Sequence, residues 1–353
     1  MMRTRAIGRD VAKEIVSNCV DHLFSLIGSD GKFTYAHKQF DVTDLYGGYN
    51  LLRHCGTVWF ICSASRSLSL NISLERMMAL EAAIGYVREK TKEPSWTDGL
   101  LPTLCVTSSD VVKLGAVGLD ILMLREFSNL IDSGTMKSAD AGLPDWRLLT
   151  CARLENYIVA QSTGDDFLHK RNFSTGKILG FHSDYYTGEA LFALMHSPIV
   201  RPEVRMVMES LLHRDYGIKE QSHWMAYAAC AALKVGYCDQ TRIAQYLERL
   251  VERIIADPSY RSRHESTPIA CRSEALMEFL RTTREVEFAR QYFSTALVDG
   301  ARATALENLH LQLKYYGQGQ FRKGRDSSKV QIDYIQHNGA AFLGWWHLSD
   351  EQT

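Results

Sequence analysis

The feature that most constrains this chain is a repeated alternation between two kinds of helical segment. One kind is amphipathic, with charged residues along one side, and the other is apolar on nearly every side. An amphipathic helix lies half-exposed at a surface, whereas a helix that is apolar all round must be buried on all sides. The apolar kind occurs six times, at 49–65, 114–127, 185–195, 223–235, 271–280 and 333–346.

Amphipathic segments alternate with the apolar ones along the chain. Helical periodicity predicts them at 9–27, 72–91, 145–160, 202–214, 241–256 and 284–313, the last with a break near Gly300. A two-helix unit that repeats six times indicates a solenoid or a closed ring. Closure is favoured because the last apolar helix is as apolar as the middle ones, whereas a solenoid ends in a polar capping repeat.

The predicted fold is therefore all-α, a single domain over residues 1–353 built as a closed ring of six helical hairpins. One small β-like piece is expected near residues 31–36. The glycine-rich stretch 317–321, which precedes the last apolar helix, is expected to be a flexible turn that acts as a lid.

Charge and composition exclude several classes of partner. The chain carries 40 basic and 41 acidic side chains, and a nucleic-acid binder usually has a basic excess. No apolar run is long enough for a signal peptide or a membrane span, so we expect a cytoplasmic protein without membrane or nucleic-acid partners. The eight cysteines form no C-x-x-C pair, and most lie in apolar helices, as expected of reduced core thiols.

Three short motifs give the alternating pattern a family resemblance. They are Gly188-Glu189-Ala190-Leu191, Ser273-Glu274-Ala275-Leu276 and Asp333-Tyr334-Ile335-Gln336-His337. With them the chain resembles the six-hairpin (α/α)6-toroid superfamily, which contains glycoside hydrolases, polysaccharide lyases, sugar epimerases and the lanthionine-synthetase cyclases. Residues 31–35 and 49–54 are also similar to the toroidal domain of glucuronyl C5-epimerases. The resemblance implies a scaffold and an enzyme, but not one reaction.

The first turns of the apolar helices are expected to carry the chemistry. In a ring of hairpins these helices run the same way, so their N-termini open on one shared cavity. Their free N–H groups suit a carboxylate or a sugar acid. The candidate catalytic residues are Tyr49, His54, Asp120, Glu189, His223, Glu274, Asp333 and His337, and the candidate substrate-binding residues are Asn50, Arg53, Tyr185, Tyr186, Trp224 and Arg272.

Each candidate also has a structural alternative. Arg53 is either a clamp for a substrate carboxylate or half of a buried ion pair between two hairpins. His54 is either a base or a core histidine with satisfied hydrogen bonds. Glu189 is either a site residue or a structural carboxylate, and Trp224 either stacks on a sugar or packs under a loop.

The sequence predicts no metal and no other cofactor. Asp333 and His337 have the i, i+4 spacing of a two-ligand site, but the familiar metalloprotease pattern has two histidines there. The cysteine and histidine set of a lanthionine cyclase cannot be assembled from this chain. A metal held among His54, His182, His223 and His337 is the remaining alternative.

Three functions fit this pattern. The leading hypothesis is a sugar-active enzyme whose substrate is a small-molecule sugar acid or a glycan, expected to be anionic, and two chemistries stay open. Tyrosine and histidine would abstract a proton, giving epimerisation or elimination, whereas paired carboxylates would give acid–base hydrolysis. The second hypothesis is an epimerase or cyclase that modifies a peptide or natural product. The third is a non-catalytic helical scaffold.

Overall fold

The computed structural model describes residues 7–43, 48–97, 101–135 and 144–349. All six apolar segments are helices, and each packs against the next around a ring. These inner helices are α2 (Leu51–Ser67), α4 (Leu114–Leu130), α6 (Tyr186–Met195), α8 (His223–Val235), α10 (Ser266–Glu285) and α13 (Ile332–Leu348).

The amphipathic segments form an outer layer, as the pattern predicts. These helices are α1 (Arg9–Ser25), α3 (Leu74–Arg88), α5 (Pro144–Ala160), α7 (Pro202–His213), α9 (Gln240–Ala256) and α12 (Thr295–Gln312), the last preceded by a short helix α11 (Glu287–Tyr292). The break therefore lies at Phe293 and Ser294 rather than at Gly300. It lies there because the Ser294 side chain accepts a hydrogen bond from the Leu297 N–H and so caps α12.

The ring closes between the first and last inner helices. Helix α13 packs against α2, and the Arg53 Nε lies 3.0 Å from the Asp333 Oδ2 across this contact. Strand β1 (Ala36–Lys38) pairs with strand β8 (Ser327–Gln331), which again joins the two ends of the chain. These contacts confirm a closed ring rather than an open solenoid. Among the described residues, no helix combines the length and the apolar character needed to cross a bilayer.

Two small antiparallel sheets lie at the N-terminal end of the inner helices. One has the order β1-β8-β7-β6, with β6 at Tyr316–Gly317 and β7 at Gln320–Gly324. The other has the order β2-β3-β4-β5, with bounds Thr91–Lys92, Cys105–Ser108, Val111–Lys113 and Lys170–Asn172. Strands β4 and β8 run directly into α4 and α13, which fixes these sheets at the mouth of the ring.

The expected lid is instead part of a sheet. Gln318 and Gly319 are the turn between β6 and β7, and both have positive φ angles. Gln320 and Phe321 are buried, and Phe321 packs against Phe342 of α13. The glycines thus shape a tight hairpin that is anchored to the core. The small β-like piece expected near 31–36 is present, since Phe33 forms an antiparallel bridge with Ile27 and strand β1 begins at Ala36.

Glycine lets the inner helices approach each other closely. A Cβ atom added at Gly118 of α4 would lie 2.8 Å from the Glu189 carbonyl oxygen of α6. One added at Gly188 of α6 would lie 2.9 Å from the Met225 backbone nitrogen of α8. These two seams have no room for a methyl group, so their spacing depends on glycine.

The close contact between α4 and α6 can be tested with a pair of glycine-to-alanine substitutions. Gly118→Ala should lower the free energy of unfolding by about 1–3 kcal/mol, because α4 and α6 must separate. Gly85→Ala, in the interior of α3 where a new Cβ meets nothing within 4 Å, should raise it by about 0.5–1 kcal/mol. Urea unfolding of both variants measures the difference. Equal effects would contradict the close contact at Gly118.

Candidate active site

A central cavity opens at the N-terminal end of the inner helices. Its volume is about 300 Å³, and it widens into a mouth of about 520 Å³. The predicted site residues that line the cavity are Asn50, Arg53, Tyr185, Tyr186, Glu189, His223, Trp224, Asp333 and His337. Arg272 lines the mouth. Ten of the fourteen candidates therefore face one connected space.

Arg53 and Asp333 form the ion pair that the sequence left as an alternative. The Asp333 carboxylate accepts from Arg53 through one oxygen and from the Gln331 amide, at 2.7 Å, through the other. Arg53 also donates to the Tyr35 hydroxyl at 2.9 Å. The Arg53 side chain nevertheless stays 40% exposed, and it lines both the cavity and the mouth. It is therefore a structural link that still presents part of its guanidinium to a ligand.

Tyr49 and His54 are structural and do not line the cavity. The Tyr49 hydroxyl accepts a hydrogen bond from the Phe33 N–H and donates to the His54 Nδ1, 2.6 Å away. The His54 Nε2 donates to the Ala83 carbonyl at 2.9 Å. Burial lowers the pKa of His54 to about 4, although the Ala83 contact opposes the shift. With both nitrogens satisfied, His54 is a neutral core histidine that joins α2 to α3.

Two histidines lie in contact with each other at the wall of the cavity. The rings of His223, the first residue of α8, and His337, on α13, lie 5.2 Å apart in an edge-to-face arrangement. The His223 side chain is buried, and its Nε2 has no hydrogen-bond partner in the part of the chain that the structure describes. Burial lowers the pKa of His223 well below its usual value, and the nearby His337 and Arg272 add to the shift. Buried polar atoms normally have partners, so this nitrogen is available to a ligand.

The Glu274 carboxylate forms a hydrogen bond with the His337 ring. One Glu274 oxygen accepts from the His337 Nδ1 at 2.8 Å, and the other accepts from the Tyr227 hydroxyl at 2.9 Å. Burial alone would lower the pKa of His337, but Cys271 and Glu274 outweigh it and raise the pKa well above its usual value. Glu274 thus orients the ring, and its own oxygens are both occupied.

Glu274 lies deeper than the sequence predicts because α10 begins earlier than expected. The helix starts at Ser266 instead of Cys271, so Glu274 is eight residues from the start. Eight residues correspond to about 12 Å along a helix. Glu274 therefore reaches the central cavity only through His337, and with Tyr227 it lines a second cavity at the opposite end of the ring. An aromatic cluster of Trp59, Phe192, Trp224 and Tyr227 lies between the two ends.

Glu189 contributes a carboxyl group to the cavity wall. Its Oε2 is buried without a partner, and burial raises the pKa of this carboxyl to about 8, against an opposing effect of His337. The carboxyl occupies the space beside Gly115, where an added Cβ would overlap it. Gly115 on α4 is therefore what makes room for the Glu189 side chain on α6.

The remaining binding candidates surround this centre. Asn50 caps α2 by accepting from the Leu52 N–H, which holds its side chain at the helix start. Tyr185 and Trp224 flank His223, at ring distances of 6.2 and 5.0 Å. Arg272 donates to the Gln221 side chain and to the Glu220 carbonyl, so it stiffens the mouth.

Residues that sequence reasoning missed include Cys271, Thr267 and Gln336, which also line the cavity. Cys271 was assigned to the core with the other cysteines, and it is indeed mostly buried. Its spacing of three residues from Glu274 on one helix is the signal that places both on the same face. Among the described residues, His223, Cys271, Glu274 and His337 each bring a potential ligand atom within 4.8 Å of the others. The proposed four-histidine set is not assembled, since His54 is enclosed by Tyr49 and Ala83, and His182 stacks on His169.

Asp120 lies outside the central cavity. Its side chain is turned toward the outer layer, where it lines a small cavity with Ile84, Thr91 and Trp146. The Thr91 hydroxyl donates to Asp120 at 3.4 Å. Burial raises the pKa of Asp120 to about 7, against the effect of the Thr91 hydrogen bond. The candidate catalytic acid is therefore a buried structural carboxyl.

The raised pKa of Asp120 predicts a pH-dependent stability. The unfolded carboxyl ionises near pH 4 and the folded one near pH 7, so this group costs stability as the pH rises through that window. Asp120→Asn removes the titration, and it should stabilise the protein more at pH 8 than at pH 5. Urea unfolding of both proteins at the two pH values measures this difference. An equal effect at both values would contradict the buried, uncharged carboxyl.

Comparison with solved structures identifies the fold independently. The crystal structure of a D-mannose isomerase superimposes with a TM-score of 0.65 at 10% identity, covering 98% of this chain and 100% of that chain. The cellobiose 2-epimerase of Bacillus thermoamylovorans gives 0.63 at 9%, covering 96% of this chain and 100% of that chain. A GH76 alpha-mannanase of Bacteroides thetaiotaomicron gives 0.57 at 8%, covering 98% of this chain and 99% of that chain.

Comparison of sequences adds no relative. No protein-family profile matches the chain, and no curated protein matches it significantly. The solved structures match over nearly their full lengths but at low identity, so what they share with this chain is the architecture. The chain therefore has the (α/α)6-toroid fold, a closed ring of six helical hairpins.

Proposed function

We propose that this protein is a sugar isomerase or epimerase that moves a proton at a carbon next to a carbonyl group, with His223 and His337 as the acid–base pair. The observation that carries the proposal is the buried His223 Nε2, which lacks a partner and belongs to a ring 5.2 Å from that of His337. Proton transfer at such a carbon needs a base that takes the proton and an acid that returns one, both within reach of the substrate.

The steps follow from this arrangement. One imidazole takes the proton from the carbon, and the electron pair of the broken C–H bond moves to the carbonyl oxygen, giving an enediolate. The second imidazole returns a proton either to this carbon, which epimerises it when the opposite face is protonated, or to the neighbouring carbon. In the second case the hydroxyl proton of the first carbon moves to the former carbonyl oxygen, which completes an isomerisation. Arg53 stabilises the negative oxygen because part of its guanidinium faces the cavity.

The cavity suits a sugar in size and lining. A volume of about 300 Å³ lies at the lower end of the range for small-molecule sites. Trp224 and Tyr185 offer apolar ring faces, and the Glu189 carboxyl offers hydrogen bonds to hydroxyl groups. The solved structures with the highest similarity scores reported above include a mannose isomerase and a cellobiose epimerase, which supports the same class of substrate.

Hydrolysis by paired carboxylates has less support. That chemistry needs two carboxyl groups free to act on a water molecule and a leaving group. Both oxygens of Asp333 have partners, and so do both oxygens of Glu274. Glu189 is the one cavity carboxyl whose Oε2 is unpartnered among the described contacts. The mouth carries charges of both signs, which does not single out an anionic substrate. An anionic substrate and a cytoplasmic location both stay predictions.

Solvent deuterium provides the direct test. Mannose, glucose, cellobiose and glucuronate are incubated with the protein in heavy water, and label next to the carbonyl carbon is followed by NMR. We expect label in one of these sugars, and a loss of about 100-fold or more in His223→Asn and His337→Asn. His310→Asn, on the outer helix α12, is the matched control and should exchange like the parent. Sugar cleavage without label would overturn the proposal in favour of hydrolysis, and conversion of substrate without label would exclude exchange with these histidines.

A second test concerns the room that Gly115 leaves for Glu189. Gly115→Ala should push the Glu189 carboxyl and the Tyr186 ring into the cavity, because an added Cβ overlaps both. The fold should survive, since the three obstructing groups, which include Leu52, are all side chains. We expect kcat/KM to fall by about 10-fold or more, whereas Gly85→Ala should leave it unchanged. Unchanged turnover in Gly115→Ala, with a native circular dichroism spectrum, would argue that the position of Glu189 is unimportant.

A further inference from the structure

The central cavity contains more than an acid–base pair. His223, Cys271, Glu274 and His337 come from three different inner helices, α8, α10 and α13, and their potential ligand atoms all lie within 4.8 Å of one another. The ligand atoms of a tetrahedral zinc ion lie roughly 3.3–3.8 Å apart, as bond lengths of about 2.0–2.3 Å require. Small side-chain movements would therefore bring these groups to coordination distance.

Burial and hydrogen bonding favour three of the four as direct ligands. The His223 Nε2 has no hydrogen-bond partner among the described residues although the residue is only 2% exposed, so no existing hydrogen bond competes with a metal ion for it. The Cys271 side chain lines the same cavity and is 7% exposed. His337 is held through its Nδ1, which leaves the Nε2 on the opposite side of the ring.

Glu274 supplies the support that ligand histidines usually have. In metal sites the second ring nitrogen of a histidine typically donates to a carboxylate, which fixes the tautomer and orients the ring. The 2.8 Å contact between the His337 Nδ1 and the Glu274 Oε1 has this form. The Tyr227 hydroxyl fixes the other oxygen of that carboxylate.

We propose that His223, Cys271 and His337 form a binding site for one divalent transition-metal ion of the Zn²⁺ type, with Glu274 orienting His337. Thiolate and imidazole ligands select zinc-type ions over Mg²⁺ and Ca²⁺, which prefer oxygen. Binding forms a metal–sulfur bond and releases the Cys271 thiol proton to solvent. Three protein ligands leave a fourth position open toward the cavity.

The metal site can be present whether or not the protein is an isomerase. Metal binding and proton transfer nevertheless exclude each other, because both use His223 and His337. A metal that takes the electron pairs of His223 and His337 prevents both rings from carrying protons. Zn²⁺ should therefore inhibit the exchange reaction, and a chelator should restore it.

A second group of potential ligands, Asp166, His169 and His182, offers fewer free and buried ligand atoms. Both ring nitrogens of His169 already have partners, the Thr187 hydroxyl and the Ser183 N–H, each at 2.9 Å. His182 is mostly exposed. The metal ion is therefore expected at the central cluster and not at this second group.

Cobalt titration of the full chain tests the site without any sugar. Chelator-treated protein receives Co²⁺, and its absorption spectrum is recorded before Zn²⁺ is added in competition. We expect one Co²⁺ per chain, with a thiolate charge-transfer band in the near ultraviolet and the visible bands of tetrahedral cobalt, all removed by Zn²⁺. Absence of these bands would overturn the metal site while leaving the proton-transfer proposal intact.

Matched cysteine variants identify the ligand. Cys271→Ser should abolish the charge-transfer band, whereas Cys238→Ser, which removes a partly exposed thiol that follows α8, should keep it. Glu274→Gln should keep the band but weaken Co²⁺ binding by about 10- to 100-fold, because His337 loses its carboxylate partner. A band that survives in Cys271→Ser, or that disappears in Cys238→Ser, would contradict the assignment.

Discussion

Everything in this structure depends on the need to bury six helices that have no polar side. A helix that is apolar all round cannot face water, so each inner helix needs two inner neighbours and an outer helix. Only a closed ring supplies two inner neighbours to all six. Glycines such as Gly118 and Gly188 bring adjacent backbones into direct contact, so that the seams between inner helices are tightly packed.

The closed ring in turn decides where chemistry is possible. Its centre holds the aromatic cluster around Trp224 and Tyr227, and one cavity lies toward each end of the ring. Polar side chains near the helix starts then converge on one small space. A buried polar atom without a hydrogen bond costs free energy of folding. The His223 Nε2 is such an atom, whereas most other buried polar groups of the cavity have hydrogen-bond partners among the described residues.

The same ion pair serves both closure and the site. Arg53 and Asp333 link the first inner helix to the last, and the site is assembled only when these two helices meet. The two residues lie far apart along the chain, so the site depends on tertiary contacts and not on any one local segment.

The sequence by itself determined the helices, their division into inner and outer layers, and the end of the ring at which the polar residues meet. Periodicity and composition act locally, so they can be recognised without a structure. Only the tertiary structure decided which side each polar residue faces. Successive residues on a helix point about 100° apart, so Arg53 faces the cavity while the adjacent His54 faces α3. Contacts between helices distant in sequence turned Asp120 outward and made Cys271 a neighbour of His223 and His337, because those contacts depend on how the helices pack.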